Sequence, residues 1–418
     1  MPYKFRKNAL HANFVALGLA TAMVMATSAH AANPRWVGSW GAAQQAADAS
    51  RAIAPEDLQD ATLRQVVRVT VGGDRIRVRL SNAFGAQPLR IVSARVALSA
   101  QPFSARIVAA SDRPLLFGGS AEVTIPPGAD YWSDPVPLKT PALASLAISL
   151  RFLGAPSIQT THPGSRTVSY LLPGDHLSDE DMGDAKAIER WHQISGVDVA
   201  ADAGGVIVAL GDSITDGNGV RPGAYSRWTD VLAERLQASP TTRAMAVINA
   251  GIGGNRVLNN GIGPNAVARF ERDVLSQSNV THLIILEGVN DLGGLTRAQP
   301  APPEAHADMV SNIIGAYRQM IGRARARGIR AIGATITPYG TSGYYHPGPE
   351  NEADREAINA WIRAPGNFDA VIDWDRALRD PNNPTALRPD YSADGLHPSL
   401  AGYKAMADAI PLSLFETK

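Results

Sequence analysis

Residues 206–217 read Val206-Ile207-Val208-Ala209-Leu210-Gly211-Asp212-Ser213-Ile214-Thr215-Asp216-Gly217. The unbroken apolar run predicts a strand buried on both faces, as in a parallel sheet covered by helices. Gly211 then permits a tight turn, and a helix N-terminus following it favours developing negative charge. Ser213 is therefore a candidate nucleophile, although Asp and Ser also cap helices for structural reasons alone.

Toward the C-terminus the same texture repeats. Strands are predicted at Ala246–Ala250, Leu283–Leu286, Ala331–Ile336 and Ala370–Trp374. Helices are predicted at Ser226–Leu236, Ala266–Leu275, Ala305–Arg327 with Gly328 as its cap, and near Asn351–Ile362, and Leu400–Ile410 closes the chain. Such alternation makes residues 201–418 an α/β domain with a parallel sheet and helices on both faces. Chemistry in these sheets sits beyond the carboxyl ends of the strands.

Toward the N-terminus the period changes to two. Gln65–Val71 and Arg75–Leu80 alternate around Gly72-Gly73-Asp74, which suits a hairpin turn. Arg75, Arg77 and Arg79 read as one solvated face. Further strands are expected at Ile91–Leu98, Ala121–Ile125 and Leu146–Phe152, and residues 155–204 read as a strand-poor connection. Residues 32–200 are thus expected to be an all-β sandwich. Trp36, Trp40 and Trp132 offer flat faces for sugar rings, but packing is the simpler role for most of them.

Residues 1–31 have the form of a secretory signal. Lys4, Arg6 and Lys7 precede an apolar run from about Ala12 to Ala26, and Ala29-His30-Ala31 offers a cleavage site. The run is short of the roughly 20 residues needed to span a bilayer. A secreted or periplasmic protein without stable membrane insertion is expected. Its removal leaves 36 Lys+Arg against 39 Asp+Glu, so no basic footprint for nucleic acid exists. The chain has no cysteine, which excludes disulfides, thiolate metal sites and thiol nucleophiles. The sequence does not specify the oligomeric state.

Other strand ends carry polar groups. After the second strand comes Gly251-Ile252-Gly253-Gly254-Asn255-Arg256. It fails the dinucleotide pattern G-x-G-x-x-G, because Arg256 stands at the last glycine. After the third comes Gly288-Val289-Asn290-Asp291, where Asn290 can aim an amide at the same edge or simply form an Asx turn. A late loop holds Asp394-Gly395-Leu396-His397, the one histidine after residue 31 with an aspartate three residues before it. That carboxylate can orient the imidazole, leaving its other nitrogen to take a proton from Ser213. No metal or other cofactor is expected, since there is no H-E-x-x-H and no histidine cluster with ligand spacing.

Gly-Asp-Ser at 211–213, Gly254, Asn290 in Gly288-Val289-Asn290-Asp291, and Asp394/His397 resemble, in order, the four blocks of the SGNH (GDSL) hydrolases. The resemblance covers about residues 205–415. It implies a flavodoxin-like, three-layer α/β/α domain. It also implies Ser213 as nucleophile, His397 as general base and Asp394 as its orienting acid. The implied oxyanion hole is the Ser213 and Gly254 amides with the Asn290 side chain. The Trp36-Val37-Gly38-Ser39-Trp40 opening resembles, more loosely, exported two-domain esterases with a jelly-roll-like module. The expected activity is hydrolysis of short-chain acyl esters of a small molecule or a glycan, O-acetyl groups among them, through an acyl-enzyme. Alternatives are a lipase or lysophospholipase, or an acyltransferase to a sugar hydroxyl. Expected substrate contacts are Asn255 and Arg256, which follow Gly254, and Tyr344, Tyr345 and His346 in the loop after the fourth strand.

Overall fold

The computed structural model describes residues 1–4, 35–201 and 204–416. The expected signal segment therefore falls largely outside the described residues. Among those described, no helix is long and apolar enough to cross a membrane.

The C-terminal half is built on five parallel strands: β1 (Val206–Gly211), β2 (Ala246–Gly251), β3 (Val280–Leu286), β4 (Arg330–Ala334) and β5 (Ala370–Ile372). Their order is β2-β1-β3-β4-β5. The chain steps one way after β1 and the other way thereafter, which places a switch point at the carboxyl end of β1. The helices are α1 (Ser213–Asp216), α2 (Trp228–Ala238), α3 (Ala266–Phe270), α4 (Val289–Thr296), α5 (Pro303–Ala326), α6 (Pro349–Arg363), α7 (Trp374–Leu378) and α8 (Leu400–Asp408). Helices α2, α7 and α8 pack together, as do α3, α4, α5 and α6. Right-handed crossovers from the switch point put these two groups on opposite faces. Every β1 residue is buried, as its apolar run requires. The helix expected at 266–275 is α3 followed by a π-helical turn, Glu271–Leu275.

The N-terminal half consists of antiparallel sheets. One has the order 36–41, 194–200, 76–81, 130–132; a second runs 186–188, 169–173, 61–68, 145–152, 93–98, 113–115. Three sequence expectations need correction. The strands flanking Gly72-Gly73 do not form a hairpin: 61–68 and 76–81 belong to different sheets. Ser39 holds the segment between them, its hydroxyl accepting from the Thr70 and Val71 amides. Gly73 pairs with Thr140 instead.

Residues 155–204 are not strand-poor, since they hold five strands from Thr160 to Ala200. Most are two to five residues long, and a bulge between Ile194 and Gly196 breaks the period of the longest. Of the three arginines expected on one solvated face, Arg75 is exposed, but Arg77 and Arg79 are not. Arg77 donates to Asp198 at 2.7 and 2.9 Å and lies against the Trp36 and Trp132 rings, while Arg79 is buried and donates to Ser195 and Gln277. Aromatic faces and hydrogen bonds replace the water these guanidinium groups give up.

Both halves share one continuous hydrophobic core, which runs from Val37 to Phe415. Strand 36–41 packs beside β2, and its glycines make that possible: a Cβ on Gly38 would stand 2.8 Å from Ile248 Cδ1. Trp40 is committed to this packing, edge-on to Trp191.

Candidate active site

At the carboxyl end of β1, Gly211 lets the chain fold back on itself. A Cβ there would meet Thr215 Oγ1 at 2.2 Å and the Leu286 carbonyl at 2.9 Å. Asp212 caps α1 by accepting from the Ile214 amide at 2.8 Å, and Gly217 ends it in the left-handed region at φ 85°. Asn249 of β2 donates to the Thr215 carbonyl and ties this turn to the sheet. Ser213 is the first residue of α1, so its amide has no acceptor within the helix.

The Ser213 hydroxyl lies 2.9 Å from His397 Nε2, and His397 Nδ1 lies 2.8 Å from Asp394 Oδ2. A carboxylate only accepts, so Nδ1 carries the proton and Nε2 is left to accept from the serine. Asp394 also accepts from the amides of Leu396 and His397, so one carboxylate shapes the loop and aims the ring. Burial works against its charge. The His397 amide and ring outweigh burial and hold the carboxyl below its ordinary range. Gly395 has φ 79°, and a Cβ on it would stand 2.3 Å from the Thr341 carbonyl.

Gly211 of β1 is in register with Gly251 of β2 and Leu286 of β3. Ser213, Gly254 and Asn290 thus lie two, three and four residues beyond one level of the sheet edge. Gly254 has φ 68°, and among the described residues its N–H has no acceptor. Asn290 is buried, donates from Nδ2 to the Asn255 carbonyl at 2.8 Å and accepts at Oδ1 from the Tyr345 hydroxyl at 2.6 Å. Asp291 accepts from the Val257 and Leu258 amides, joining the β2 loop to α4. Burial pushes its carboxyl up to about 6 despite those amides.

Arg269, which the sequence reading did not single out, is wholly buried beneath these loops. It donates to the Gly211 carbonyl, the Ala250 carbonyl, Asn255 Oδ1, Asp273 and Glu287, so it fastens the ends of β1, β2 and β3 together. The signal for it is a charged residue on the apolar face of α3, between Ala266 and Phe270. Asp212 and Glu287 beside it are both raised, chiefly by burial.

The expected contact residues divide. Asn255 is buried, and its amide is spent on Arg269 and the Pro264 carbonyl. Arg256 is half-buried, and its guanidinium lies over Gly294 of α4. Tyr344 is 54% exposed, with Arg297 donating to its hydroxyl and covering its ring. Tyr345 is buried. His346 is exposed, has φ 50°, and lines a cavity of about 620 Å³ with His306, Glu350 and Asp354.

A doubly wound parallel sheet with a histidine-bonded serine at its carboxyl edge is the architecture of an α/β hydrolytic enzyme. Residues 209–405 match the model of the GDSL-like Lipase/Acylhydrolase family. That match identifies residues 209–405 as similar to GDSL-like lipases and acylhydrolases, and the chain is a hydrolase. Among solved structures it is similar to a GDSL-like lipase from Bacteroides thetaiotaomicron VPI-5482, at 21% identity over 49% of this chain and 84% of that one, TM-score 0.36. It is similar to the acetyl xylan esterase AlAXEase, at 22% identity over 49% and 96%, TM-score 0.37. A third is LAE5, an α/β hydrolase enzyme from the metagenome of Lake Arreo, Spain, at 20% identity over 50% and 94%, TM-score 0.37. No curated protein matches the chain.

Proposed function

We propose that the protein is an exported serine esterase that cleaves short-chain acyl esters of a small molecule or a glycan. The observation that carries this reading is the Ser213–His397–Asp394 chain of hydrogen bonds, 2.9 and 2.8 Å long, at the sheet edge. Ser213 Oγ attacks the ester carbonyl as its proton passes to His397 Nε2. The tetrahedral oxyanion is met by the Ser213 and Gly254 amides and by Asn290 Nδ2. Collapse expels the alcohol, which takes the proton from His397, and leaves an acyl-serine. Water, deprotonated by His397, then releases the acid and restores the serine. Ile262, half-exposed, has its Cδ1 3.2 Å from the position of a Cβ on Gly254, which supplies an apolar edge for an acyl chain.

In this reading residues 1–31 are the export signal, residues 32–200 a jelly-roll-like sandwich domain, and residues 201–418 a flavodoxin-like three-layer catalytic domain. The test is hydrolysis of p-nitrophenyl esters of graded chain length, with and without acetylated xylan, by the protein and its Ser213→Ala variant. We expect the variant to lose activity by at least about 10³-fold. Equal rates would overturn the esterase reading. Product seen only with a sugar acceptor would mark a transferase, and preference for long chains a lipase.

A further inference from the structure

We propose that Tyr345 is a positioning residue that fixes which end of the Asn290 amide faces the reacting carbonyl; the proposal rests on the serine-esterase reading above. An asparagine side chain can present either its oxygen or its NH2 to a site, and the two have opposite effects on an oxyanion. The NH2 stabilises it, whereas the oxygen repels it. In this protein two neighbours settle the orientation from outside the site. The Tyr345 hydroxyl donates to Oδ1 at 2.6 Å. The Asn255 carbonyl accepts from Nδ2 at 2.8 Å. Rotating the amide by 180° would set its oxygen against that carbonyl oxygen. With Oδ1 and one N–H engaged, a single N–H remains for an oxyanion.

The three residues come from three different strand-end loops. Asn255 follows β2, Asn290 follows β3, and Tyr345 lies between β4 and α6. Room for the Tyr345 ring is made by Gly293 of α4, where a Cβ would stand 2.4 Å from Tyr345 Cγ. The rings of Tyr339 and Tyr344 meet it edge-on, and its amide donates to Ser342 Oγ. Burial pushes the phenol up, so the hydroxyl stays a donor over the working pH range. The Tyr345 hydroxyl, expected from the sequence to touch substrate, is instead committed to Asn290. Its effect on the reaction passes through that amide.

The experiment is a double-mutant cycle on p-nitrophenyl acetate with Tyr345→Phe, Asn290→Ala, the pair together, and Ser213→Ala as control. Titration with a fluorophosphonate counts competent Ser213, so loss of folded protein cannot mimic a loss of turnover. Tyr345→Phe should lower kcat about tenfold with KM within about twofold of wild type. Asn290→Ala should lower kcat by about 10²–10³-fold. In the Asn290→Ala background, Tyr345→Phe should change kcat by no more than about twofold. The proposal is overturned by a wild-type kcat in Tyr345→Phe. It is also overturned by a tenfold loss that persists without Asn290, or by a rise in KM alone, which would make Tyr345 a substrate contact. Loss of activity in Ser213→Ala beside any of these results would leave the esterase reading standing. Full activity in Ser213→Ala would overturn both.

Discussion

Asp291 and Asp394 are both aspartates that accept backbone amides, yet their environments push them apart. Asp394 is half-exposed and faces an imidazole, which keeps it ionised. Asp291 is buried, and its carboxyl is pushed up to about 6. The sign of its effect on stability follows from linkage. Between the ordinary value of about 3.9 and about 6, the unfolded chain releases this proton while the folded chain retains it. Asp291 therefore costs stability as pH rises through that window and adds no further change above it. An Asp291→Asn variant lacks this titration. Its deficit in melting temperature relative to wild type should be larger at pH 4 than at pH 7. Thermal unfolding at the two pH values measures this, and an equal or larger deficit at pH 7 would contradict it.

At the scale of elements, the loop carrying His397 depends on one backbone position. Gly395 combines φ 79° with a Cβ position 2.3 Å from the Thr341 carbonyl. Gly395→Ala must pay about 1–2 kcal/mol for the left-handed conformation alone and must also push the loop away from Thr341. We expect lower denaturant stability and a loss of kcat of tenfold or more as His397 leaves Ser213. A variant with wild-type kcat would show that the loop tolerates the shift. The contrast between the two halves of the chain also belongs to this scale. Strands β1 and β2 are legible because a parallel strand covered on both faces needs an unbroken apolar run. The strand at 194–200 is not legible, because a bulge interrupts its period and its buried Asp198 is affordable only beside Arg77.

Across the whole molecule, the β half reaches the Ser213 turn directly. His162 Nε2 lies 3.0 Å from Asp216 Oδ1, three residues after Ser213, and His162 Nδ1 lies 2.7 Å from the Ala43 carbonyl. Gly164 packs so closely that a Cβ on it would stand 1.9 Å from Asp216 Oδ2. Burial opposes the charge of Asp216, but His162, then Arg166 and Arg227, keep its carboxyl below the ordinary range. Removing one partner of a buried pair typically costs about 3–5 kcal/mol. His162→Ala should therefore lower unfolding free energy by that amount and reduce turnover per folded molecule. Chemical denaturation with an activity assay measures both, and a change under 1 kcal/mol would mean that the contact carries no such weight.

The sequence by itself determined the parallel sheet, the family resemblance of residues 209–405 and the order in which the strand ends present serine, glycine, asparagine and histidine. Apolar runs and turn residues are local, and physical chemistry reads them locally. Tertiary structure alone decided that Arg269 fastens three strand ends, that Tyr345 meets Asn290, and that His162 of the β half meets Asp216. It also decided that Arg77 and Arg79 go inward and that the strands around Gly72-Gly73 part into separate sheets. Each of these is a polar group whose burial is possible only beside a partner distant in sequence, or a turn whose direction is set by such a partner. No local pattern records where that partner will be.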